Sequence, residues 1–191
     1  MTKFKLGLIV GSNRRESINR KLAQALIKLG AKEFHASIIR IDDLPLFNQD
    51  LEAALPETVV RFKSHIADSD ALLFVTPEHS RSIPAVLKSA IDWGARPWGK
   101  NSWTGKPAAV TGTSAGAVGT AVAQQHLRAI LGDIGMLVMG GEAYITFKPD
   151  LLNAHDDVAD DSTRKFLKDF LDQFATLTAK LTAKVAPRAA A

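Results

Sequence analysis

Near its start the chain places small hydroxyl and amide residues beside two arginines, in the stretch Gly11-Ser12-Asn13-Arg14-Arg15-Glu16-Ser17-Ile18-Asn19. These side chains donate hydrogen bonds, and the first N–H groups of a helix have no helical acceptor. The positive end of the helix dipole adds to the attraction for an anion. The stretch therefore predicts a phosphate cradle. It is neither a Walker loop nor G-x-G-x-x-G, because no Gly-Lys-Ser/Thr follows and the glycine spacing differs.

This cradle needs a strand before it and a helix after it. Residues 6–10 form an apolar run without alternation, which predicts a strand covered on both faces. Ser17 offers an N-cap oxygen to the following helix, and Gly30 offers a C-cap. The apolar face of that helix comprises Ile18, Leu22, Ala25, Leu26 and Leu29.

Two later loops also follow buried strands. The strand at 70–76 leads into the loop 77–82, and the strand at 107–113 leads into the glycine-rich turn 112–118. Ser82 is the predicted cap of the next helix, with Pro84 in its first turn. If the strands are parallel and ordered 2-1-3-4-5, all three loops meet at one edge of the sheet, where such folds bind ligands.

The remaining pattern alternates strands and helices, which predicts a doubly wound α/β fold with helices on both faces of a five-stranded parallel sheet. We predict one domain over residues 1–185 and a frayed tail at 186–191. The other predicted elements are strands at 34–41 and 136–139, helices at 57–68, 83–91, 121–131 and from 161 or 162, and a short extended piece at 144–149.

Composition limits the function classes. The chain of 191 residues has a net charge of +4 with scattered positive residues, which is unlike a nucleic-acid-binding stripe. It has no cysteine, which excludes disulfides, thiolate catalysis and Cys-ligated metals. We predict no metal site. No apolar run approaches the roughly 20 residues of a membrane helix, and no signal-type segment is present, so we expect a cytoplasmic protein.

The three loops together suggest one ligand. The first binds a phosphate, the second offers a proline-stiffened backbone, and the third has small residues that let a flat ring approach the backbone. A phosphate joined to a flat polar ring describes flavin mononucleotide (FMN). Backbone N–H groups near such a ring would stabilise negative charge on its reduced form.

Three motifs resemble the NAD(P)H-dependent FMN reductase family, and in particular its bacterial quinone and chromate reductases. They are Gly11-Ser12-x-Arg14-x-x-Ser17-x-Asn19, the block Thr76-Pro77-Glu78-His79-Ser80-x-Ser82-Ile83-Pro84-x-x-Leu87-Lys88-x-Ala90-Ile91-Asp92-Trp93, and the turn 114–119 followed by His126-Leu127-Arg128. The likeness extends to about Gly141. The resemblance implies a flavodoxin-like fold, FMN as cofactor and NADPH or NADH as co-substrate.

The resemblance also implies which residues contact FMN. The phosphate would be bound from the first loop, the isoalloxazine and ribityl side from the second, and the other ring edge from the third. The predicted cofactor-binding residues are Ser12, Arg14, Ser17, Ile18, Asn19, Pro77, Glu78, His79, Ser80, Arg81, Ser114, Ala115 and Gly116. At positions 79 and 80 the family usually has Tyr and often Asn, whereas this chain has His79 and Ser80.

The reaction implied is hydride transfer from NAD(P)H through FMN to a quinone or a similar acceptor, such as chromate, an azo compound or free flavin. Because the cofactor supplies the chemistry, no side chain needs to act as acid or base, and we predict no catalytic residue. The resemblance further implies a homodimer or homotetramer with the site at a subunit boundary.

Two other functions fit parts of the sequence. Gly112-Thr113-Ser114-Ala115-Gly116 satisfies G-x-S-x-G between a strand and a helix, and Asp150 and His155 follow, as in a serine hydrolase. A flavodoxin-like electron carrier would also bind FMN, but flavodoxins are usually acidic and this chain is basic.

Overall fold

The computed structural model describes residues 3–183 and centres on a parallel sheet. Its strands are β1 (Phe4–Val10), β2 (Phe34–Ile39), β3 (Ala71–Val75), β4 (Pro107–Ser114), β5 (Leu137–Val138) and β6 (Tyr144–Thr146). The predicted order 2-1-3-4-5 is confirmed. The sheet has six strands rather than five, because β6 pairs in parallel with the end of β4. The predicted tail at 186–191 lies outside the described residues.

Helices connect these strands. They are α1 (Ile18–Leu29), α2 (Glu57–Asp68), α3 (Ala85–Ala95), α4 (Ala121–Asp133) and α5 (Asp161–Thr182), with a short 3₁₀ helix (Gln49–Ala54) inside the predicted loop 42–56. The bounds of α2 match the prediction. Ser17 caps α1 as predicted: its side chain accepts the Arg20 N–H, with 3.2 Å between nitrogen and oxygen.

The predicted cap at Ser82 is wrong. Helix α3 begins two residues later than predicted, at Ala85, and its N-cap is Pro84, which makes no side-chain cap hydrogen bond. Ser82 instead pairs with His79, each donating its backbone N–H to the other's carbonyl over 2.9 Å. Because the backbone of Ser82 takes part in this hairpin, α3 begins after it rather than at it.

Buried side chains cover both faces of the sheet. Leu6, Leu8 and Val10 of β1 pack with α1 and α5, whereas Ile9 faces the cluster that contains α2, α3 and α4. Side chains that are buried on both faces of an apolar run are expected when helices cover both faces of the sheet. The central strands are therefore fixed, and their carboxyl ends present the loops at defined positions.

The loop between α3 and β4 contains two tryptophans with opposite environments. Trp103 is fully buried and donates its indole N–H to the Ile91 carbonyl over 2.9 Å. Trp98 is 88% exposed. Of these two tryptophans, only Trp98 has the exposure that a contact surface requires.

Asp160 gives α5 a pH-dependent cap. Its carboxylate accepts the Thr163 N–H over 2.6 Å and the Ser162 hydroxyl over 2.9 Å. Hydrogen bonds, those of Thr163 first, lower the pKa of Asp160 from 3.8 to about 2. Because the folded pKa lies below the unfolded one, this stabilisation is complete above about pH 4 and is lost as the pH falls toward 2.

Asp160→Asn keeps a capping side chain that does not titrate. We therefore expect wild type to melt at a higher temperature than Asp160→Asn at pH 7, and this advantage to shrink as the pH falls from 4 through 2. Thermal melts of both proteins across this range measure it. Other carboxyls titrate in both proteins and cancel in the difference. An advantage that stays constant with pH would contradict the assignment.

Among residues 3–183, no helix combines the length and the apolar character needed to cross a membrane.

Candidate functional site

A cavity of about 420 Å³ opens at the carboxyl ends of β1, β3 and β4. The three loops predicted to converge do so here, and the first turn of α3 lies between them. Its lining residues are Gly11, Ser12, Asn13, Arg14, Ser17, Ile18, Asn19, Pro77, Glu78, His79, Pro84, Val86, Thr113, Ser114 and Ala115. Three strand ends thus contribute to one concave site, as expected for an open parallel sheet.

Most of the predicted cofactor-binding residues line this cavity. Ser80, Arg81 and Gly116 do not, although each adjoins a lining segment. Pro84 and Val86 were missed, because an apolar residue in the first turn of a helix reads as core. Asn13 and Thr113 were also missed, although both fall inside loops that the sequence singled out. Their positions in these loops, rather than their residue types, could have identified them as lining residues.

One end of the cavity presents donors for an anion. Ile18 and Asn19 are the first residues of α1, so their N–H groups have no helical acceptor. Ser17 accepts a hydrogen bond through its oxygen and keeps its hydroxyl proton free to donate. This donor set, at the positive end of α1, suits a phosphate group.

Asn19 has a second task that the sequence does not reveal. Its side-chain amide donates to the Thr113 carbonyl over 2.9 Å, and its oxygen accepts the Thr113 N–H over 2.9 Å. Both residues are buried, with Asn19 2% and Thr113 0% exposed. Asn19 therefore links the start of α1 to the end of β4, and its side chain keeps one amide proton that is available to a ligand besides the backbone N–H.

Arg14 is the cation that lines the cavity, and its side chain is exposed. Arg40, at the neighbouring strand end, is already paired: its guanidinium donates to both oxygens of Asp42, over 3.2 and 3.1 Å. Hydrogen bonding from Arg40 lowers the pKa of Asp42. Arg40 is thus neutralised by its partner, whereas Arg14 can pair with a ligand.

The second loop forms a two-residue hairpin. His79 and Ser82 pair, and the residues between them, Ser80 and Arg81, have positive φ angles of 49° and 62°. Two left-handed central residues give a type I′ turn, which asparagine and glycine favour. The turn keeps His79 in the cavity lining and directs Ser80 and Arg81 away from it.

The third loop does not form a hydrolase site. The Ser114 hydroxyl donates to the Gly119 carbonyl within its own turn. The His155 carbonyl accepts from Lys28, in the last turn of α1, and α1 runs back toward the opposite edge of the sheet. Ser114 and His155 therefore lie at opposite edges, which rules out the predicted triad.

A larger cavity of about 620 Å³ lies between β6 and the start of α5, where it is lined by Tyr144, Lys148 and Phe166 among others. None of the three predicted loops contributes to it. The cavity at the strand ends has the convergent donors, so we take it as the candidate site despite its smaller volume. Within residues 3–183, no three His, Cys, Asp or Glu side chains cluster as a metal site would require.

Comparison with known proteins agrees with this geometry. Residues 4–150 match the family model for NADPH-dependent FMN reductase. A 2-hydroxy-1,4-benzoquinone reductase from a Burkholderia species is 45% identical over 166 residues, which cover 86% of this chain and 91% of that protein. A quinone reductase from Pseudomonas putida is 46% identical over 167 residues, which cover 86% and 89%.

Solved structures give the same result. The flavoenzyme FerB, an NAD(P)H:(acceptor) oxidoreductase from Paracoccus denitrificans, superposes with a TM-score of 0.90 at 44% identity, over 93% of this chain and 98% of that one. A WrbA-like flavodoxin from Agrobacterium tumefaciens shares the fold, with a TM-score of 0.61 at 16% identity over 94% and 100%.

Proposed function

Because the chain belongs to the NADPH-dependent FMN reductase family, we propose that it is an oxidoreductase that passes two electrons from NADPH or NADH, through bound FMN, to a quinone or a similar acceptor. The observation that carries the proposal is the convergence of three strand-end loops on one cavity with anion donors at one end. An electron carrier would share the cofactor, but the matched relatives are reductases.

The residues present fit FMN. Ser12, Arg14 and Ser17, with the free N–H groups of α1, form a donor set for its phosphate. At the other end, Ala115 and Gly116 bear little or no side chain, and a Cβ built on Gly116 would meet only the Ser114 hydroxyl, at 3.7 Å. A flat ring can therefore approach the backbone of this turn.

The chemistry that FMN supplies is two-electron transfer: NAD(P)H, a proton and a quinone give NAD(P)⁺ and a hydroquinone. The protein then has to bind and orient rather than to exchange protons. Loop 11–19 fixes the phosphate end, and Pro77, His79 and Ser114 bound the other end of the cavity. The ligand is thereby held at a set depth, with the cavity mouth left open for the reductant and the acceptor in turn.

The test uses the purified chain with added FMN. We expect a flavin absorption spectrum that co-migrates with the protein, is bleached by NADPH or NADH without oxygen, and returns when a quinone is added. Chromate, an azo dye and free FMN tested in the same assay define the acceptor range. A colourless protein whose Ser114 reacts with a fluorophosphonate would overturn the proposal.

Arg14→Ala should weaken FMN binding about tenfold, because it removes the cation from the phosphate end of the cavity. Titration of the flavin fluorescence measures the dissociation constant. The melting temperature of the FMN-free protein should not change, since Arg14 is exposed.

Arg15→Ala is the matched control, because Arg15 is also exposed and adjacent in sequence but does not line the cavity. It should change FMN affinity less than about threefold. Equal losses in the two variants would mean that general positive charge, rather than the position of Arg14, attracts the phosphate.

We also propose that the chain self-associates as a homodimer or homotetramer and acts in the cytoplasm, where NAD(P)H is the ordinary reductant. The exposed indole of Trp98 supports self-association, since large exposed aromatics concentrate at interfaces. Light scattering on the eluting protein gives the assembly mass, and Trp98→Ser should reduce it.

A further inference from the structure

Glu78 lines the cavity, yet both oxygens of its carboxylate bind protein groups. Oε1 accepts a hydrogen bond from Arg81 Nη1 over 2.9 Å, and Oε2 accepts the backbone N–H of Ala123 over 3.1 Å. The side chain is only 8% exposed, whereas that of Arg81 is 70% exposed. The resemblance to the family implies a flavin contact for Glu78, but its carboxylate is turned toward helix α4.

Helix α4 lacks a cap of its own. Its N-cap residue, Thr120, makes no side-chain cap hydrogen bond, and the first turn contains no acidic residue. Ala123 is the third helical residue, so its N–H has no helical acceptor. Glu78 satisfies this N–H and places a negative charge at the positive end of the helix dipole, from 45 residues away.

The hairpin that follows Glu78 is stabilised by contacts with helix α4. Ser80 and Arg81 are not glycines, and the left-handed backbone conformation that both adopt is unfavourable for residues with a Cβ. A second contact supports the hairpin from α4: His126 Nδ1 lies 3.2 Å from the Ser82 hydroxyl oxygen. The two contacts fasten the hairpin to the first turns of α4.

We propose that Glu78 is a positioning residue that sets the distance between two walls of the cavity, the hairpin 77–82 and the turn 114–120. The turn leads directly into α4, so the link from Glu78 to Ala123 fixes both walls at once. The inference rests on the proposed function, because the ligand whose binding it serves is FMN. Glu78 acts on that ligand through His79 and Ser114 rather than by touching it.

Two substitutions of Glu78 separate the effect of its hydrogen bond to Ala123 from the effect of its negative charge. Glu78→Gln keeps an oxygen that can accept the Ala123 N–H, whereas Glu78→Ala removes it. We expect Glu78→Ala to weaken FMN binding about twentyfold and Glu78→Gln to stay within about threefold of wild type. Asp169→Ala is the matched control, since Asp169 is an exposed acid that pairs with Lys165 on α5 and does not line the cavity, and it should have no effect.

Hydrogen exchange of the FMN-free protein provides a readout that direct flavin contact would not move. Glu78→Ala should speed exchange of the Ala123 amide about tenfold or more, and Glu78→Gln should restore most of the protection. Arg81→Ala should leave it nearly unchanged, because the Ala123 contact remains.

Unchanged exchange in Glu78→Ala would overturn the inference, and so would a loss of FMN affinity in Glu78→Gln as large as that in Glu78→Ala. Failure of the unaltered protein to bind FMN at all would instead contradict the proposed function. The exchange and affinity measurements thus distinguish the two failures.

Discussion

Replacing Gly112 by alanine should lower the free energy of unfolding by about 3 kcal/mol or more and abolish FMN binding. A Cβ at this position would lie 2.0 Å from the Thr76 carbonyl oxygen and 2.5 Å from Thr120 Oγ1. The carbonyl cannot retreat cheaply, because Thr76 donates its own N–H to the Thr111 carbonyl over 2.9 Å in the β3–β4 pairing. The strands would have to separate where their loops begin to line the cavity.

Gly132→Ala is the matched control. Gly132 lies in helix α4, and a Cβ there would meet nothing within 4 Å. Alanine has the higher helix propensity, so this variant should be neutral or up to about 1 kcal/mol more stable. Urea denaturation and FMN titration of both variants give the comparison. A Gly112→Ala protein with wild-type stability would show that the strand ends are not packed as described.

The contact at Gly112 also explains the G-x-S-x-G pattern without a nucleophile. Gly112 is required because β3 and β4 approach closely, and Ser114 uses its hydroxyl within its own turn by donating to Gly119. In a hydrolase the same spacing would serve a strained turn that exposes the serine. In this chain, strand packing accounts for the first glycine of the motif, and a hydrogen bond within the turn accounts for its serine.

Local chemistry made much of the fold predictable. Apolar runs without alternation located β1, β3 and β4, and the capping side chain of Ser17 located the start of α1. Because these strands are parallel and adjacent in the order 2-1-3-4-5, the convergence of their loops follows from geometry. The position of the cavity was therefore predictable from the sequence.

Contacts between distant residues were not predictable, because a helix cap can come from anywhere in the chain. Lys63 of α2 donates to the carbonyls of Gly94, Arg96 and Lys100 at the end of α3, over 3.0, 2.7 and 2.9 Å, and burial lowers its pKa. Glu78 caps α4 in a similar way. Local sequence patterns indicate caps only within a few residues of a helix end, which is why Ser82 was wrongly predicted to cap α3 and the contact from Glu78 to α4 was not predicted.

Asn19→Ala should destabilise the protein by about 3 kcal/mol and weaken FMN binding more than Arg14→Ala does. The substitution leaves the N–H and the carbonyl of Thr113 without their partner in a buried place. Strand β3 ends at Val75, before it could pair with Thr113, so Asn19 extends the sheet edge in its place. Without it, the start of α1 and the end of β4 can move apart, and both carry cavity residues.

Asn101→Ala provides the matched comparison, because the exposed side chain of Asn101 also donates through its amide and accepts through its oxygen. Its amide donates to the Ile134 carbonyl and its oxygen accepts the Trp103 N–H, each over 2.9 Å. Water can replace the exposed contact to Ile134, and the contact to Trp103 is only part-buried, so the loss should be smaller, about 1 kcal/mol, with FMN affinity unchanged. Because the two variants delete the same chemical group, a difference in stability measures burial. A loss of FMN affinity in Asn19→Ala but not in Asn101→Ala would support the role of Asn19 in linking the cavity walls. Equal losses in the two variants would contradict that role.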